Sequence, residues 1–93
     1  MLTSAQATRI TKKCVSNVAN IPVSEISVAD ELEILGITTD ARLNDLRSEI
    51  VNGDDGVRSK DHKMSSGDLS DIETTSTVRD VSRTVRDSAE PIE

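Results

Sequence analysis

Four places in the chain hold residue types that could do chemistry: the single Cys14, the single His62, the scattered carboxylates, and Leu35-Gly36-Ile37-Thr38-Thr39-Asp40, where hydroxyls and a carboxylate precede a helical pattern. Cys14 has no partner for an intramolecular disulfide, and no second cysteine or histidine cluster offers metal ligands. Its place on an apolar helix stripe reads as a buried small hydrophobe rather than a reactive thiol. His62 sits in a polar segment without a serine or cysteine nucleophile to activate, and reads as a surface residue. There is no Gly-rich phosphate loop, so the reading names no catalytic residue and no metal ligand and expects no enzyme. With 17 acids in 93 residues, any one carboxylate pair is uninformative. The helix start remains. Its free N–H groups and partial positive charge are either capped by its own side chains or present an anionic group.

The elements that position it follow from apolar spacing. A first helix is predicted near residues 3–19: Thr3 and Gln6 form a capping-box pair, Ala7, Ile10, Cys14 and Val18 make one stripe, and Asn20 and Pro22 end it. Residues 21–38 are too irregular for a long helix but hold many apolar anchors, which describes a packed crossover loop with a turn at Ser27–Asp30. A second helix is predicted near residues 39–52, with Leu43, Leu46 and Ile50 on one face, Thr39 and Asp40 as cap candidates and Gly53 at its end. Residues 53–66 read as a polar flexible loop. Leu69 and Ile72 suggest a short helix over 67–72, and Val78, Val81 and Val85 a final one over 75–87. TVRD recurs there at a seven-residue step, too briefly to sustain a coiled coil. No sheet is expected. The predicted core is Ile10, Cys14, Val18, Leu32, Leu35, Leu43, Leu46, Ile50, Val78, Val81 and Val85.

Length allows one domain, taken as residues 1–88 with a disordered tail at 89–93. The absence of Phe, Tyr and Trp leaves Leu, Ile and Val to supply the core, so low stability is expected. The formal charge of −6 is uneven: residues 1–22 hold three bases and no acid, while residues 23–52 hold seven acids against Arg42 and Arg47. An acidic middle argues against a nucleic-acid backbone and for protein partners with basic docking surfaces. The lone cysteine and the lack of an apolar span of about 18 residues point to a soluble cytoplasmic monomer without membrane contact.

The order of these elements resembles an acyl carrier protein over roughly residues 3–87. SEISVADELEILGI is similar to that family's long loop and Leu-Gly signature, DLRSEI to the body of its second helix, and STVRDVSRTV to its closing helix. The resemblance implies an all-α fold, a four-helix bundle of three longer helices plus one short helix. It also implies a carrier that takes acyl groups to, or docks on, enzymes of fatty-acid or polyketide type, and the cofactor 4′-phosphopantetheine on a serine at the start of the second helix. Here no serine stands there. Direct alignment puts Thr39 at the attachment place, and one inserted residue puts Asp40 there. Thr39 offers a hydroxyl on a hindered branched carbon and Asp40 a fixed negative charge, so the start reads as a modification site capped by its own side chains. The alternative is a cofactor-free acidic module for protein–protein interaction or regulation.

Overall fold

The computed structural model describes residues 2–92, and all that follows concerns those residues. Helix α1 spans Ser4–Ala19 and starts as its sequence requires. Thr3 accepts from the Gln6 amide through its hydroxyl while the Gln6 side chain accepts from the Thr3 amide, and Asn20 closes the helix in the left-handed region at φ 58°. Helix α2 spans Asp40–Asn52 and helix α3 Val78–Ser88. Helix α1 packs against both, more extensively against α3, while a 3-10 turn at Ser66–Leu69 bridges α2 and α3. Leu32, Leu46, Ile50, Val57, Leu69, Val78, Val81 and Val85 are fully buried in one cluster with Ile10, Cys14 and Val15. The two buried polar side chains, Thr11 and Ser82, donate to the carbonyls of Ala7 and Val78 one turn earlier, so neither hydroxyl is stranded.

The connection between α1 and α2 is anchored by Ile26, Leu32 and Ile37, all buried, and by the start of α3. The Val78 and Arg79 amides, which lack intrahelical acceptors, donate to the carbonyls of Asp30 and Val28 at 3.0 and 2.9 Å. In return the Leu32 and Glu33 amides donate to Ser76 and Thr74, and Glu31 pairs antiparallel with Thr77. Gly36 then turns the chain at φ 100°, a conformation that favours glycine, and sends Ile37 into the core.

Several expectations need correction. The molecule is mostly helical, with three α-helices and a small sheet rather than a clear four-helix bundle. The expected short helix over 67–72 is the 3-10 turn at Ser66–Leu69, and α3 begins at Val78 rather than Thr75 because Thr77 caps it, paired with Asp80 in a capping box. Strands β1 (His62–Lys63) and β2 (Glu90–Pro91) form an antiparallel ribbon where no sheet was expected. Two-residue strands carry no alternation that a sequence pattern could reveal. Segment 53–66, read as a polar loop, holds a 3-10 turn at Val57–Lys60 and β1, and Val57 is fully buried. Within the expected tail, Ala89 is buried and 90–91 pair with β1, while Glu93 lies outside the described residues. Of the predicted core, Val18 and Leu35 are only half-buried, and the others are buried.

Candidate functional site: the start of helix α2

Buried Ile37 fixes where the chain enters α2, and the next residues rise to the surface: Thr38, Thr39 and Asp40 are all exposed. Thr39 is the N-cap, in extended conformation. Its Oγ1 accepts from the Arg42 amide at 3.2 Å, and its carbonyl accepts from Leu43 at 3.0 Å. One orphan donor of the helix start is thereby satisfied by the protein's own hydroxyl. Asp40 follows as the first helical residue, and its carboxylate complements the positive end of the helix dipole. The two sequence-nominated residues therefore stand side by side with different tasks: Thr39 caps, and Asp40 supplies fixed negative charge.

These residues do not fit 4′-phosphopantetheine. A phosphodiester formed here needs an unhindered hydroxyl oxygen to attack phosphorus, and the only hydroxyl at the cap sits on a branched secondary carbon and already accepts from the Arg42 amide. The adjacent Asp40 carboxylate would face the phosphate with like charge.

The two arginines of the acidic segment donate to backbone carbonyls of other elements, Arg42 while remaining exposed and Arg47 from a half-buried position. Arg42 Nη1 donates to the Val18 carbonyl in the last turn of α1 at 2.9 Å, a favourable place for a cation. Arg47 donates through Nε to the Leu69 carbonyl at 3.0 Å, through Nη2 to the Ile72 carbonyl at 3.2 Å, and through Nη1 to Asn44 Oδ1 at 2.7 Å. Its guanidinium thus clamps the chain after the 3-10 turn onto α2. Sequence reasoning missed both roles, since the partners lie 22 to 25 residues away and spacing carries no trace of them. The acids that α2 exposes to solvent are Asp40 and Asp45, beside Ala41, Arg42, Asn44, Ser48 and Asn52, and Ile34, 70 % exposed, lies in the turn just before Gly36.

The other candidates are placed elsewhere. Cys14 is fully buried, its Sγ 3.6 Å from the Asp55 carbonyl, and burial pushes its thiol pKa up to about 12, with the Glu49 and Asp55 carboxylates adding to the effect. A thiol held protonated in the fold contributes stability that is complete below its unfolded value of 9.0 and is lost as pH rises toward about 12. Stability should therefore fall by about 1.4 kcal/mol per pH unit across that window from this group. Urea melts of the native chain and Cys14→Ala at matched alkaline pH isolate the difference, and parallel curves would show that the thiol ionises in place. His62, expected at the surface, is half-buried. Its Nδ1 lies 2.5 Å from the Lys60 carbonyl, which can only accept, so Nδ1 carries the proton and Nε2 is left buried without a hydrogen-bond partner. Neither residue approaches a nucleophile–base pair, and no group of three or more His, Cys, Asp and Glu that could hold a metal occurs among the described residues. Nor is any described helix long and apolar enough to cross a membrane. In comparison with known proteins, the chain matches no family model, no curated protein and no solved structure.

Proposed function

We propose that this chain is a docking protein with the layout of an acyl carrier but without its cofactor, in which the start of α2 is a contact surface for basic protein partners. The observation that carries the reading is the Thr39 cap, whose hydroxyl is engaged with the Arg42 amide. Exposed Asp40 and Asp45, neither of which forms an ion pair among the described residues, supply the charge, and exposed Ile34, in the turn before Gly36, supplies an apolar contact. The loaded carrier is the alternative, favoured by the order of the elements.

Intact-mass spectrometry after incubation with coenzyme A, magnesium and a broad-specificity phosphopantetheinyl transferase separates the two. The native chain should keep its mass. Thr39→Ser and Asp40→Ser, run beside it, restore a primary hydroxyl at each candidate place, and a gain by one of them locates the position equivalent to the carrier's serine. A gain of the cofactor mass by the native chain would make it a working carrier and end the cofactor-free reading.

A further inference from the structure

Helix α3 carries three arginines among its core valines. In the fold Arg79, Arg83 and Arg86, at i, i+4 and i+7, share one helix face and rise over about 10 Å of axis. That face borders α1, and the three guanidiniums line a groove of about 300 Å³ with Ser4, Thr8, Val28 and Ser82. A shallower depression continues across Ser4 and Thr8 to Arg9 and Lys12 of α1. In a chain of charge −6, most of the basic residues outside the Arg42 and Arg47 clamps thus gather on one side. Sequence reasoning summed charge along the chain and found only the modest surplus at residues 1–22, because α1 and α3 meet only after folding.

The groove has donors to spare. Arg86 Nη1 donates to Ser4 Oγ at 3.1 Å, which leaves the Ser4 hydroxyl proton free to point into the groove. Ser4 opens α1, whose first turn holds no acid, so the positive end of the helix dipole lies at the same edge. Arg86 also pairs with Asp87 at 2.9 Å, the one ion pair among the described residues, so Arg79 and Arg83 make none there. Asp80 stands between these two. Its carboxylate accepts from the Thr77 amide in the capping box, and that bond first, the Thr77 side chain next and the nearby arginines last hold its pKa below the usual carboxylate range. One carboxylate turned to its own cap leaves the pair of guanidiniums only partly neutralised.

We propose that the groove between α1 and α3 is a binding site for a small phosphate-type oxyanion, best a diphosphate, free or as part of a small organic molecule. Three guanidinium forks and the hydroxyls of Ser4 and Thr8 offer more donors than the roughly four acceptor sites of one carboxylate can use, whereas a diphosphate presents enough oxygens to engage them all. The volume is at the small end of ligand pockets, of the order of 300 Å³. A nucleic-acid strand is the poorer fit, since the rest of the molecule is strongly acidic and there is no aromatic side chain on which bases could stack. This site is independent of the helix start and of the carrier-like reading.

The test is titration of sodium pyrophosphate into the isotope-labelled chain at low ionic strength, followed by amide and arginine Nε–H shifts. Saturable changes confined to residues 4–8 and 79–86 and to Val28, weakened by added salt, are expected. Arg79→Gln/Arg83→Gln, two exposed side chains without hydrogen bonds in the fold, should weaken binding by about tenfold or more. Arg58→Gln/Lys63→Gln removes the same charge from a different depression and should change affinity by less than about twofold. Equal losses in both variants, or shifts that grow linearly without saturation, would reduce the site to general charge attraction and overturn the proposal. Co-sedimentation with phosphatidylcholine vesicles containing phosphatidylserine should show no binding, and retention on them through the same arginines would replace a soluble ligand by a lipid surface.

Discussion

Gly56→Ala should destabilise the chain more than any other change of a single heavy atom, by more than about 3 kcal/mol. Gly56 is buried where the chain leaves α2 and doubles back into the 3-10 turn at Val57–Lys60. Its amide donates to the Gly53 carbonyl at 3.1 Å, and its own carbonyl accepts from the amide and hydroxyl of Ser59. A Cβ there would collide with the Ile50 carbonyl oxygen and come within 2.5 Å of that of Glu49. These are backbone atoms of the last turn of α2, so no rotamer change relieves them. The turn would have to lift away and draw Val57 out of the core. Urea unfolding followed by circular dichroism measures the loss. Gly67→Ala, where the new atom meets only Ser65 Oγ at 3.4 Å, should stay within about 1 kcal/mol of the native chain. Similar midpoints for the two variants would mean that the close approach at Gly56 is absent in solution.

Leu46→Ala should cost about 2–5 kcal/mol. Leu46 is fully buried on the face of α2 that meets α1, among Leu43, Ile50 and the apolar residues of the loop. A chain of this length lacking aromatic side chains is expected near the bottom of the ordinary stability range, about 5 kcal/mol in all. The substitution therefore removes a large share of the total, and the variant should be partly unfolded without denaturant at ambient temperature. A loss below about 0.5 kcal/mol in urea melts would place this side chain at the surface and the register of α2 in error.

The parts of the fold that sequence made legible are those whose cause is local. The Thr3–Gln6 box, the Asn20 end and the stripes of α1 and α2 depend on residues within one or two turns, and the structure agrees with them except that the α1 stripe buries Thr11 and Val15 and leaves Val18 half-buried. The start of α3 depends on an equally local signal, Thr77 with Asp80 three residues on, but the threonines before it extend the pattern and conceal the cap. What stayed hidden depends on chain meeting chain at long separation: the ribbon of β1 and β2, the burial of Val57 inside a polar segment, and the Arg47 clamp on Leu69 and Ile72. For the candidate site, the sequence identified Thr39 and Asp40 and the conflict between capping and loading, yet it could not choose the cap. That choice depends on which oxygen reaches the Arg42 amide, and the geometry gives it to Thr39.

The bonds between residues 28–33 and the start of α3 decide where this chain tolerates added length. A surface connection ordinarily accepts insertions, because lengthening it costs only slowly growing closure entropy. This one is bound in both directions, with Val28 and Asp30 accepting from Arg79 and Val78 while Leu32 and Glu33 donate to Ser76 and Thr74. One extra residue between Val28 and Glu33 shifts that register and strands two amides at the mouth of α3. By its outline the segment is a loop, but for a graft, a tag or a circular permutation it has the intolerance of a central strand.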